Sequence, residues 1–92
     1  MNKKQVLFDL RNHLKFLTAD EINEVLNDDV LSIEETKHYL IIKFSGNRKL
    51  RIWKDGSKAW FLNGKLHKEN DQPAVIHANG LIEWCVNGRK IK

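Results

Sequence analysis

The sequence predicts an α+β fold in which two N-terminal helices pack on one face of an antiparallel β-meander of about six or seven strands. Three observations predict it. Apolar residues recur at helical spacing up to about residue 27 and at every second position after residue 36. Turn dipeptides then punctuate the chain at Gly46-Asn47, Asp55-Gly56, Asn63-Gly64, Asn79-Gly80 and Asn87-Gly88. The last four fall within thirty-four residues, a density that suits hairpins and little else. A chain of 92 residues has room for one domain, with 1–29 as a helical pair and 37–92 as the meander.

The first helix is expected from Lys4 to about Phe16, where Val6, Leu7, Leu10, Leu14 and Leu17 form one stripe. Thr18-Ala19-Asp20-Glu21 reads as a capping box that opens the second helix, which runs to about Asn27 with Ile22, Val25 and Leu26 inward. Its early acids suit the positive end of the helix dipole. Beyond Thr36, Leu40, Ile42 and Phe44 alternate with Tyr39, Ile41 and Lys43, and Leu50 and Ile52 alternate with Lys49, Arg51 and Trp53.

Two-residue turns fix partners by arithmetic. Asp55-Gly56 sets Trp53 opposite Lys58, Arg51 opposite Trp60 and Leu50 opposite Phe61. Asn63-Gly64 sets Phe61 opposite Leu66 and Trp60 opposite His67. A three-residue loop Gly46-Asn47-Arg48 aligns Phe44 with Leu50, and places Lys43 against Arg51, a repulsive pair. The helix-facing side then carries Leu40, Ile42, Phe44, Leu50, Ile52, Ala59, Phe61 and Leu66. The other side carries Tyr39 and mixes aromatics with cations, and its candidate binding set is Lys43, Lys49, Arg51, Trp53, Lys58, Trp60 and His67. Ala59-Trp60-Phe61-Leu62 is apolar on both parities, however, so Trp60, like Trp84, also reads as a packing residue.

The net charge of +4 is unevenly spread. Residues 1–36 hold four Lys/Arg and eight Asp/Glu, a net −4; residues 37–92 hold twelve and four, a net +8. Two surfaces with different electrostatic partners follow, unless the halves neutralise each other inside the fold. The basic–aromatic face is one candidate; an acidic helical face built from Glu24, Asp28 and Asp29 is the other.

Segments 55–65 and 79–89 superpose at a constant offset of 24, with Gly, Trp, an aliphatic, Asn, Gly and a base in step. Trp60-x-x-Asn63-Gly64-Lys65-x-His67-Lys68 followed by Asp71-x-Pro73-Ala74 resembles the short Trp-x-x-Asn-Gly…His-Arg…Pro-Ala hairpin repeat of uncharacterised phage and giant-virus proteins. It is more distantly similar to MORN-like repeats of bacterial antitoxin-type proteins. The resemblance spans residues 53–92, with Lys68 where Arg is usual and Gln72 in place of Gly. It implies an architecture and a viral origin, and transfers no catalytic residue.

No metal or cofactor is expected: His67, His77 and Cys85 lack the paired spacing of a zinc site. Cys85 on an alternating strand reads as a small buried side chain. The glycines sit singly in turns, without a phosphate cradle. No apolar run reaches the roughly 18–20 residues of a membrane span. Asp9 and Arg11 interrupt the stretch that would follow a leader, which leaves an intracellular location, the host cytoplasm for a viral protein. The expectation is a non-enzymatic protein that binds a host protein as a viral modulator. The alternative is nucleic-acid binding through the basic, tryptophan-bearing sheet face.

Overall fold

The structure, a computed structural model, describes all 92 residues. Helix α1 is Lys3–Asp9, with the Asn2 side chain accepting from the Gln5 amide at 2.8 Å. The stripe that suggests a helix to Phe16 is cut short. The Leu10 carbonyl accepts from both His13 (2.7 Å) and Leu14 (3.0 Å), and Leu14–Phe16 form a 3-10 turn. Asn12 and His13 are weak helix formers, and the tighter turn still brings Leu17 into the core. Helix α2, Ala19–Leu26, opens on the expected capping box: the Glu21 amide donates to Thr18 Oγ1 (3.1 Å) and the Thr18 amide to Glu21 Oε1 (2.8 Å).

Nine strands follow: β1 Val30–Glu35, β2 Tyr39–Phe44, β3 Arg48–Trp53, β4 Lys58–Leu62, β5 Lys65–Leu66, β6 Val75–Ile76, β7 Ile82–Glu83, β8 Cys85–Val86 and β9 Arg89–Lys90. The main antiparallel sheet has the order β1-β2-β3-β4-β6-β7, with β5 sharing the far edge of β4. The pair β8–β9 forms a separate ribbon. The fold is therefore α+β, as the sequence predicts, with a main sheet of seven strands.

The strand β1 has no counterpart in the sequence reading, which starts the meander after Thr36. Val30 and Ile33 point toward the helices three positions apart, and a bulge between Val30 and Ser32 absorbs the extra residue, leaving Leu31 exposed. The bulge hides the period of two.

Turn chemistry corrects the expected register. At Asn63-Gly64 both residues have positive φ (52° and 79°), a two-residue turn, and Phe61 faces Leu66 as expected. At Asp55-Gly56 only the glycine is left-handed (φ 94°). Asp55 Oδ1 accepts from the Ser57 amide at 2.9 Å, which favours a three-residue loop closed by Trp53 N–H to Ser57 O at 2.8 Å. Asn79 does the same for Leu81 (3.0 Å), with His77 N–H donating to Leu81 O at 2.8 Å. The first hairpin closes on Ser45–Asn47, so Phe44 faces Arg48, Ile42 faces Leu50, and Lys43 meets Lys49 rather than Arg51.

The extra residue in the 54–56 loop sets Leu50 opposite Trp60 and Arg51 opposite Ala59. A one-residue shift exchanges the faces of β4. Lys58 and Trp60 turn toward the helices, and Ala59 and Phe61 turn to the outer side. Trp60 stacks on Phe44 with centroids 6.0 Å apart and joins Val6, Leu10, Val25, Leu40, Ile42, Leu50 and Ile52 in the core beneath the helices. A smaller cluster of Ala59, Ala74, Val75 and Cys85 fills the other side, where Trp53, Phe61 and Leu66 pack against it.

The offset of 24 is visible in the hydrogen bonds. The Trp60 carbonyl accepts from His67 N–H (3.0 Å), and the Trp60 amide donates to Ala74 O (2.8 Å). The edge β5–β6 is thus one line from which Lys68–Pro73 loops out. One repeat later, the Trp84 carbonyl accepts from Ile91 N–H (2.7 Å). In each unit a lysine lies over the tryptophan: Lys68 Nζ at 3.7 Å from the Trp60 centroid and Lys92 Nζ at 5.2 Å from that of Trp84.

Candidate functional site

Alternation in β2 and β3 sends Tyr39, Ile41, Lys43, Lys49, Arg51 and Trp53 to the outer face, where the β4 register adds Phe61. Arg51 stands at the centre. Its guanidinium carbon lies 4.5 Å from the Tyr39 ring centroid, 5.2 Å from Phe61 and 5.4 Å from Trp53. Tyr39 and Trp53 meet edge to face at 6.3 Å. Three rings thus hold one cation by contacts worth about 0.5–2 kcal/mol each. Its Nε is buried with no hydrogen-bond partner. Arg51, Lys49, Ile41, Phe61 and Gly64 line a cavity of about 100 Å³.

Neither Lys49 nor Arg51 has a carboxylate within ion-pair distance. Lys43, on the same face, is paired with Glu34 at 3.2 Å. The cations that the sheet and the 68–73 loop turn toward α2 are neutralised. Arg48 grips Asp28 with two hydrogen bonds of 2.6 and 2.7 Å. Lys58 Nζ donates to Glu21 Oε1 at 2.6 Å, and Lys68 pairs with Glu24. The hydrogen bonds from Arg48 hold the Asp28 carboxyl below its usual range, and Asp28 raises Arg48 in turn.

The predicted basic–aromatic set therefore divides. Lys43, Lys49, Arg51 and Trp53 stay together on the outer face, whereas Lys58, Trp60 and His67 lie on the helical side. His67 Nδ1 accepts from the Asn87 amide at 3.0 Å, so the hydrogen-bond network assigns the proton to Nε2, which lies 3.2 Å from Glu69. His67 fastens the second repeat to the first. In the predicted acidic set, Glu24 and Asp28 are spent on Lys68 and Arg48, and only Asp29 keeps an exposed, unpaired carboxylate. The cleft of about 440 Å³ between α2 and the 68–72 loop is thus lined by paired charges around Trp60.

Tyr39 and Phe61 are the residues the site reading left out. The alternation of β2 already placed Tyr39 on the outer face, while Phe61 was assigned inward by the two-residue turn. Cys85 is buried, with its thiol pushed up by desolvation, and His77 and Glu83 pair at 2.7 Å, holding the Glu83 carboxyl down.

Fold and face together define an α+β protein with paired charges along the seam between α2 and the sheet and a cationic, aromatic-lined outer sheet. No helix is long and apolar enough to cross a membrane. No family model, curated protein or solved structure matches the chain.

Proposed function

We propose that the protein is a non-enzymatic binding module, a viral modulator of a host protein, and that it presents the outer face around Arg51 and Lys49 to an acidic segment of that partner. The observation that carries the reading is the contrast between the two sides of the sheet. The cations that reach α2 from the sheet and the 68–73 loop are matched by carboxylates, whereas Lys49 and Arg51 are not. A guanidinium stacked on three rings has little rotamer freedom left to lose on binding, which favours recognition of a carboxylate from outside. The resemblance of 60–74 to phage and giant-virus hairpin repeats supports the choice of a host protein.

The second reading, nucleic-acid binding, is favoured by Trp53 and Tyr39 on the same face as Lys49. It is weakened by Arg51, which lies against the rings that bases would stack on. Titration with an acidic peptide, single-stranded and duplex oligonucleotides over a salt series decides between them. The proposal expects saturable peptide binding that Lys49→Glu abolishes with little change in melting temperature, and that Arg51→Glu abolishes in protein that still folds, at a lower melting temperature. Tighter oligonucleotide binding with a steep salt slope would transfer the function to nucleic acid. Binding of neither, in wild-type protein at low salt, would end both readings.

A further inference from the structure

The two hairpin repeats are covered unequally. In the first, Lys58 and Trp60 turn their amides and carbonyls away from β3. Trp60 bonds to Ala74 and His67, and Lys58 pairs with Ile76. The Ala74–Ile76 segment thus closes the edge of β4. In the second, residues 82 and 84 take the places of 58 and 60. Trp84 bonds outward to Ile91 at 2.7 Å and Lys92 at 3.4 Å. Main-chain groups two residues apart on a strand point to the same side, so those of Ile82 point outward as well. No strand lies there: β7 pairs only with β6. Leu81, Ile82 and Ile91 crowd this unpaired edge, and all three are exposed.

The opposite edge of the sheet is guarded. There β1 carries a bulge, Glu34 and Glu35, and the Met1 amino group donates to Val30 O at 2.8 Å. The edge at Ile82 has neither bulge nor amino cap, and its one glutamate, Glu83, is taken up by His77.

We propose that the Ile82 edge is a second docking site, which takes an extended apolar segment of a protein partner as an added antiparallel strand. The preceding repeat specifies the occupant. It sits against Ile82 as Ile76 sits against Lys58, because Lys92 and Ile91 already hold the outward groups of Trp84, so a β-branched residue fits best there. The site continues an interface already built once within the fold, and it uses none of the residues around Arg51.

The test uses the full chain, isotopically labelled, and a synthetic peptide with the sequence of residues 71–78 as the probe. Shifts confined to 81–84 and slowed hydrogen exchange of the Ile82 amide are expected. Ile82→Lys, with Leu81→Lys as a second variant at a more exposed position, weakens binding about tenfold or more, because a charge replaces the apolar contact that the edge offers. Leu31→Lys at the guarded edge and Arg51→Glu on the outer face leave it unchanged. Silence at Ile82 with millimolar peptide would overturn the proposal. So would shifts at Lys58–Trp60, which mean exchange with β6, or a dimer that Ile82→Lys dissolves, which assigns the edge to a second copy.

Discussion

Lys58 offers the sharpest test of the sheet register. With Ile52 opposite Lys58, its side chain turns toward α2, where its ammonium lies 2.6 Å from Glu21 and the two side chains are 7% and 15% exposed. Under the two-residue turn the same lysine would lie on the outer face in water. The two geometries differ greatly in energy. Removing one partner of a buried ion pair costs about 3–5 kcal/mol, because a charge stays buried alone. Glu21 keeps the Thr18 amide, so the lower end applies, about 3 kcal/mol for Lys58→Ala. A domain of this size has roughly 5–14 kcal/mol to lose, and each kcal/mol lowers Tm by about 4–8 °C. Denaturant and thermal melts of Lys58→Ala, Glu21→Gln and their double variant close a cycle, with a coupling of about 2 kcal/mol expected. The pair Lys58→Met with Glu21→Gln, which removes both charges, should return to within about 1 kcal/mol of wild type. A loss below about 1 kcal/mol for Lys58→Ala, with no coupling, would refute the register and return Trp60 to the outer face.

Two further outcomes follow from local geometry. Gly56→Ala sets a side chain at φ 94° and a Cβ 2.9 Å from the Phe16 ring, so conformational strain and overpacking together cost about 2–4 kcal/mol by denaturant midpoint. Gly64→Ala, with nothing within 4 Å, costs only the strain of about 1–2 kcal/mol; equal losses at the two sites would deny the Phe16 contact. The Asp28 carboxyl titrates lower in the folded state than in the unfolded chain, so its contribution is fully present above the ordinary carboxylate pKa and is lost as pH falls from there through the lowered folded value. The pair is part-exposed and worth about 1 kcal/mol. Asp28→Asn should therefore lose more stability at pH 7 than at pH 3, and a constant difference across that range would contradict the assignment.

The capping box, the inward set of β2 and β3 and the two Asn-Gly turns with both residues left-handed were legible because each rests on short-range chemistry. Leu40, Ile42, Phe44, Leu50 and Ile52 alternate without a break and are all buried. What escaped was set by single residues. The bulge beside Leu31 erased the period of β1. At Asp55 and Asn79 a side-chain oxygen captures the amide two residues on and lengthens the loop by one. Nothing in a dipeptide distinguishes these from Asn63 and Asn87, where positive φ closes a two-residue turn. One added residue moved Trp60, Lys58 and Phe61 across the sheet. Arg51, Lys49 and Trp53 kept their side because β3 was read from its own alternation.

That exchange of faces also reorganises the electrostatics. With Lys58 outside, the outer face would spread its positive charge over a band from Lys43 to His67, and Glu21 would have only the Thr18 amide. With Lys58 inside, α2 is bound to the sheet side by Glu21–Lys58, Glu24–Lys68 and Asp28–Arg48, one pair for each of its turns and its end. The acidic N-terminal part and the basic C-terminal part thus serve chiefly to join helices to sheet. Among the unmatched cations of the outer face Arg51 is held in place, clasped by Tyr39, Trp53 and Phe61, with Lys49 next to it on the same face. A diffuse basic band favours any polyanion, whereas one fixed guanidinium rewards an acceptor placed to meet it. Affinity for an acidic segment should accordingly fall more on Arg51→Lys, which keeps the charge and loses the planar fork, than on Lys49→Gln, which removes a whole charge at the rim.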